Sequence, residues 1–504
     1  LRATCGEDEA AIETAVAELV RRHVLEEAPG GLLRFTHEKI REVAYGRTAA
    51  ERRSALHLAA ATALSRSESL EQIHGVLGLH WERAGEFECA RKSYLAGARN
   101  SARRFAFVES EQLYRAYLAL RAEPSAELVE AMNELGHNVL RARGKVHDAL
   151  AVQQQALGLA LVLGDRRGEA RSLRMAGLVL KELGELDRAE AQLTSALSIA
   201  VAEGDRESEE SSCNYLAGMY YERGKPERAL ELYERAMAIA RETGDERTEA
   251  MLLSNIAILH VESGRWPLAR EAYEAASEIQ TRVGDLNSLQ VTLSNYAFLQ
   301  AECGRFAEAS ALYGRALDAV RSTSRRRFEG IVLSNMADLA RDEGRPDDAR
   351  SLCEQSLAIH EEVANRRWIG ITYETLASIA LAEGRLDVAK ADAGRALEMH
   401  RALGNRGYEA SALVLMAQIA RRGGDVDAAA SCLDAAQPAI EELGDPRILA
   451  GWLCERGHVA IARGEAARTV LEAVLGCTEG LGLDRSSRLG REIAQLAARI
   501  PPAG

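Results

Sequence analysis

Lysine is nearly missing from this chain: six stand among 63 basic residues in a length of 504, a bias that reads as genome base composition rather than chemistry. Prolines number nine and aromatics make up 5% of the residues. With β-branched residues also sparse, extended sheets are not expected. The eight cysteines (Cys5, Cys89, Cys213, Cys303, Cys353, Cys432, Cys454, Cys477) are scattered, and no two have CxxC spacing. That excludes a zinc site or redox pair of the usual kind, and buried free thiols suit a reducing compartment. No apolar run reaches the roughly 18 residues needed to cross a bilayer, and no secretory signal is present. A cytoplasmic protein without a membrane partner is therefore expected. The net charge of −13 disfavours nucleic acid as the main partner.

Catalytic signatures are missing as well. Gly144-Lys145 and Gly224-Lys225 lack the remaining residues of a phosphate-cradling loop. The chain holds no kinase HRD or DFG set and no GxSxG elbow. HExxH is absent, and the histidines away from the N-terminus are isolated on helices, so no metal and no cofactor are expected. His37 and His57 read as structural. The chain is read as non-catalytic. Because residue 1 is Leu, it is expected to be a piece of a longer protein, whose catalytic core, if there is one, would lie upstream.

What the chain does have is a clock. Glycine returns every forty residues at Gly144, Gly184, Gly224, Gly264, Gly304, Gly344, Gly384 and Gly424, and alanine follows each by five, from Ala149 to Ala429. A fixed period of this size marks a stacked repeat array. Within one period, Leu253, Ile256, Ala257 and His260 form a helical stripe that should end at Gly264, where glycine enters the left-handed conformation without strain. Pro267 then suits the first turn of a second helix, as do Pro226 and Pro346. A second clock of Gly-Asp pairs (Gly164-Asp165, Gly204-Asp205, Gly244-Asp245, Gly284-Asp285, Gly444-Asp445, with Gly404-Asn405 as a variant) predicts a stop followed by an N-cap. Each period is thus two antiparallel helices.

Further positions keep the same phase. A small residue stands seven before the turn glycine (Ala217, Ala257, Ala297, Ala337, Ala377, Ala417), an aromatic four after the alanine (Tyr233, Tyr273, Tyr313), and a small residue three beyond (Ala196, Ala236, Ala276, Ala316, Ala396). This pattern resembles the tetratricopeptide repeat family, in its longer-helix form, over about residues 130 to 480. The resemblance implies an all-α fold, a right-handed α-α superhelix of helix pairs with a concave binding wall. Ser324-Arg325-Arg326-Arg327 and Ala364-Asn365-Arg366-Arg367 replace the expected Gly-Asp turns, and looser or differently packed turns are expected there. The arginine clusters Arg325–Arg327 and Arg366-Arg367 read as solvated turns, with docking of acidic groups as the alternative. Thr469 stands where alanine is due after Gly464, so the frame slips; residues 485–499 read as a polar-faced capping helix ended by Pro501-Pro502. A divergent unit surrounds Gly85, with Trp81, Phe87, Ala90 and Tyr94 in phase.

The first sixty residues differ. The run Leu19–Leu25 leads through Pro29-Gly30-Gly31 to Leu33–Tyr45, then Arg52-Arg53 and Leu56-His57, and a helix, a small glycine-turned hairpin and another helix give a winged-helix outline. In order and outline this resembles the module that precedes a tetratricopeptide-like sensor in signal-transducing ATPases of the STAND class. The expected division is a winged-helix remnant (1–60), a divergent helical linker (61–129), the repeat array (130–480) and a capping helix with tail (481–504).

Asn255, Asn295 and Asn335 share one phase, nine before the turn glycine, inside Ser-Asn-x-Ala. An amide that donates and accepts can hold the backbone of an extended peptide. The family resemblance implies that use, an asparagine ladder facing the concave groove, with Tyr215 and Thr375 at its flanks. The expected partner is a protein or peptide, with a small effector as the alternative. Three roles remain open: the sensor arm of a STAND-type ATPase, a constitutive scaffold, or the inert part of an enzyme.

Overall fold

The computed structural model describes residues 9–28, 32–66, 70–120, 123–323, 325–479, 483–485 and 487–500, and the hairpin turn at 29–31, Ser324 and Pro501-Pro502 lie outside them. The described residues contain 25 α-helices and one pair of short strands. The chain divides into two compact units, Leu1–Arg223 and Gly224–Gly504.

In the first unit, helix Glu9–Arg21 leads into antiparallel strands Leu25–Ala28 and Leu32–Phe35, paired Leu25 to Phe35, and then into helix Glu38–Arg47. The expected helix–hairpin–helix order is present. Helices Leu70–Ala84 and Phe87–Arg103 flank Gly85, and Ala90 and Tyr94 are buried there. Helix Ala126–Glu134 runs on into a π-turn, Leu135–Leu140. Inside that bend the fully buried Gln153 amide donates to the Asn133 carbonyl at 3.1 Å, in the space left by Gly136. Regular pairs follow to Glu222.

The second unit repeats one design. Helix Glu246–Glu262 is followed by Trp266–Arg282, Leu286–Glu302 by Phe306–Ser322, Arg326–Asp342 by Pro346–Glu362, Arg366–Ala382 by Leu386–Ala402, and Arg406–Arg422 by Val426–Leu443. Each pair turns through a residue with positive φ, such as Gly264 at 69°. The alanines five later, Ala269 to Ala429, are fully buried, as are Ala257 to Ala417 on the facing helices. Two helices cross closely only where side chains are this small; a larger one at Ala269 would cost about 1–3 kcal/mol. The fold is the all-α stack of tetratricopeptide-type helix pairs that the sequence implies.

The second clock is equally physical. Asp285 accepts from the Ser288 backbone N–H at 3.1 Å, Asp245 from Thr248 at 3.1 Å and Asp445 from Arg447 at 2.8 Å. At Ala364-Asn365, where a looser or differently packed turn is expected, the chain keeps the turn of the glycine-bearing repeats. Ala364 enters the left-handed region at φ 51° and the helix restarts at Arg366, though Asn365 provides no side-chain cap. The repeat frame overrides the local preference for glycine. At the last turn the frame does slip: Thr469 is exposed, and Ala467 takes the buried small-residue place ahead of helix Arg468–Thr478.

Candidate binding groove of the second unit

The helical phases that repeat every forty residues also line a cavity. The first helices of successive pairs point Phe298, Asp338, Ser378 and Gln418, each six residues before its turn glycine, into a groove of about 670 Å³. Helix Pro446–Ala462 and the final helix, Arg488–Ala498, complete its wall with Arg447, Trp452, Arg488 and Glu492. Apolar surface from Ile371, Leu415, Leu443 and Ile448 alternates with charge. Such a mixture of apolar wall and a few placed polar groups is the usual make-up of a ligand site.

Most of the charges are already paired. The Arg341 guanidinium bonds Asp338 at 2.6 Å and Asp342 at 3.0 Å, and these carboxylates raise its proton affinity against the cost of burial. Arg447 pairs with Asp445 at 3.1 Å. Burial pushes the Asp445 carboxyl up, but the hydrogen bond and charge of Arg447 outweigh it and leave it lowered. Ser411 donates to Glu374 at 2.8 Å, and the buried His400 Nε2 stands 2.8 Å from the other Glu374 oxygen without aligning for a hydrogen bond. Tyr408 stacks on His400 at 5.3 Å, with the Arg367 guanidinium over the tyrosine ring at 5.1 Å. Glu302 differs from these. Its carboxyl lines the groove with no hydrogen bond or ion pair to a described residue, and burial raises its pKa, opposed by the charge of Arg447 and reinforced by that of Asp342.

Of the five residues singled out from sequence, Thr375 lines this groove; it is buried and donates to Asp338 at 3.0 Å. Leu415 occupies the same phase one repeat on and lines it too. Asn255, Asn295 and Asn335 share that phase at half-buried positions outside the cavity lining, and their amides make no hydrogen bond with described residues. Tyr215 is half-buried in the first unit. Two of the three serines in the Ser-Asn motifs have a packing role that sequence reasoning missed, while Ser294 donates to the Gln290 carbonyl of its own helix at 2.8 Å. Ser254 meets Thr292 at 2.8 Å, and Ser334 meets Ser356 at 2.6 Å and Thr372 at 3.1 Å. Arg367 is exposed, as the solvated-turn reading expects, and it also lines the groove. Lining up the forty-residue periods would have found it, since Gly407 and Arg447 share its phase.

A comparably regular feature lies beneath the groove. His360 packs on Gly330 and His400 on Gly370, where a β-carbon would come within 2.6 Å and 2.7 Å of the rings. Trp368 and Tyr408 stack on those rings from the next pair. Among the described residues no group of three or more His, Cys, Asp or Glu side chains is arranged to hold a metal ion, and no helix is long and apolar enough to cross a membrane.

Comparison with known proteins agrees with this fold. The family described as the MalT-like TPR region matches residues 214–489, and the tetratricopeptide repeat matches residues 127–200. No curated protein matches the chain. Among solved structures, the apo form of the quorum sensor NprR from B. thuringiensis aligns at 14% identity with a TM-score of 0.51, over 69% of this chain and 98% of that one. A Rap protein complexed with competence and sporulation factor aligns at 15% identity and a TM-score of 0.50, over 74% of this chain and 100% of that one. A STAND protein with a tetratricopeptide repeat sensor from Pyrococcus horikoshii aligns at 15% identity and a TM-score of 0.48, over 85% of this chain and 59% of that one. With more than half its length matched by one family, the chain belongs to the MalT-like TPR region family of tetratricopeptide repeat proteins.

Proposed function

We propose that this chain is a non-catalytic recognition module that holds an extended peptide, or a peptide segment of a protein, in the groove of its second unit. The observation that carries the reading is the groove itself: about 670 Å³, walled by side chains in fixed repeat phases, with polar groups largely paired among themselves. A ligand then meets a preorganised surface, which lowers the ordering cost of binding. Two of the structural neighbours are a quorum sensor and a Rap protein complexed with competence and sporulation factor, which fits a regulatory role. The unpaired amides of Asn255, Asn295 and Asn335 extend the same helical phase away from Thr375, as peptide-backbone ligands would. A helix–hairpin–helix ahead of the array supports placement as the sensor arm of a switch, whose state ligand binding shifts only by its differential affinity.

Panning a displayed heptapeptide library against the chain tests this. Enriched peptides should bind five- to tenfold more weakly to Asn295→Ala, the loss of about 1 kcal/mol that one net hydrogen bond supplies. Failure to enrich any peptide, or equal affinity in all three asparagine variants and Thr375→Ala, would remove the groove reading.

A further inference from the structure

Two of the three aromatic side chains on the groove wall already carry an arginine. The Arg367 guanidinium lies over Tyr408 at 5.1 Å, and that of Arg456 over Trp452 at 4.8 Å. The third ring, Phe298, is 45% exposed, and no ring or guanidinium of a described residue lies over it. Glu302, the groove carboxylate without a hydrogen bond or ion pair to a described residue, follows four positions later in helix Leu286–Glu302. Residues four apart share a helix face, so ring and carboxylate stand side by side on the wall. Glu302 also ends its helix, where the dipole adds negative potential.

The arginines whose charge reaches Glu302 are committed elsewhere. Arg447 pairs with Asp445 at 3.1 Å, and Arg488 with Glu492 at 3.3 Å. The final helix holds that second pair in the wall, because its Leu489 and Leu496 pack on helix Pro446–Ala462 and Leu496 fills the space over Gly457. Behind the groove, the Arg491 guanidinium lies 5.9 Å from the Phe306 ring centroid, and Leu483 packs against the cluster of Trp266, Tyr273, Tyr296 and Leu299. This part of the wall is thus a fixed surface with its own charges matched.

We propose that Phe298 and Glu302 form the receptor for one arginine side chain of a peptide in the groove, its guanidinium lying on the ring and donating to the carboxylate. Arginine fits both halves of the pair. Its planar head stacks on an aromatic face and offers two parallel N–H groups to one carboxylate, which a lysine ammonium does not. The groove already uses this contact at Tyr408 and Trp452. Burial pushes the Glu302 carboxyl upward, so its charged form is the one that gains most from an incoming cation. This rests on the groove-binding reading and names a side chain that the peptide carries.

Two pools of fluorescent heptapeptides, blocked at both ends so that no terminal charge remains, test this on the whole chain. One pool has arginine at the centre of otherwise mixed neutral residues. The other has citrulline there, which keeps the shape and removes the charge. Fluorescence anisotropy should show the arginine pool binding about tenfold more tightly. Glu302→Gln should bring the arginine pool down to the citrulline pool while the citrulline affinity stays unchanged, which reports an intact groove. Phe298→Leu should keep the citrulline pool bound and lose several-fold of the arginine preference. Equal binding of the two pools, or an arginine preference that survives in Glu302→Gln, overturns the receptor and leaves the groove reading standing. A preference untouched in Phe298→Leu overturns the part given to the ring. Binding of neither pool removes the groove reading and the receptor with it.

Discussion

Acidification from pH 7 to pH 5 should loosen the pair of helices around His360, and the size of the effect follows from one buried ring. His360 is fully buried against Trp368, and its Nε2 has no hydrogen-bond partner. Burial brings its pKa down to about 4, with the Gly330 carbonyl pulling upward and the Arg327 charge downward. In the unfolded chain the ring returns to about 6.5. Between these values the unfolded state binds more protons, so stability rises with pH through that window and is lost as pH falls. For a shift of this size the loss between pH 7 and pH 5 is about 2 kcal/mol. Glutamine occupies the corresponding phase at Gln280, which makes His360→Gln a substitution that the repeat already tolerates. Native-state hydrogen exchange across Pro346–Ala382 at the two pH values, corrected for intrinsic rates, reads the local opening free energy. The stability difference between His360→Gln and the unmutated chain should shift by about 2 kcal/mol in favour of the variant at pH 5. The same pH dependence in both proteins would refute the assignment.

Other outcomes can be checked by thermal melting and the same exchange measurement. Gly370→Ala places a β-carbon 2.7 Å from the His400 ring, itself stacked on Tyr408, and should cost about 1–3 kcal/mol. Gly394→Ala, in the open on the partner helix Leu386–Ala402, should instead stabilise by about 0.5–1 kcal/mol. Asp285→Ala removes the cap on Ser288 and should cost about 1 kcal/mol, read as faster exchange at the start of helix Leu286–Glu302.

The turn glycines, the buried alanines and the aspartate caps were legible in the sequence because each acts within its own repeat and therefore recurs in phase. Gly264, Ala269 and Asp285 behave as their spacing demands. Ala364 was not legible: its local sequence opposes a left-handed residue, and packing on both sides imposes one. The groove was legible only as a phase. Position nine before the glycine, chosen for its asparagines, includes Thr375 and Leu415 on the cavity wall, but nothing periodic indicates where along the array a cavity opens. The paired exchange of Gly330 with His360 and Gly370 with His400 could have been found by aligning the periods, since a large residue appears thirty positions after each small one. The contact of Leu483 with the Tyr273–Tyr296 cluster leaves no such trace, because it happens once.

That single contact has a mechanical consequence. A linear array frays from its ends inward, since each module is held by its immediate neighbours alone. Here Leu483 and Arg491 tie the tail of the second unit back to modules near its beginning. The tie makes a hoop of what would otherwise be a zipper: the terminal module cannot peel away without first giving up its packing on modules far upstream. Melting of the second unit should accordingly gain cooperativity while the tie holds and lose it when the tie is cut.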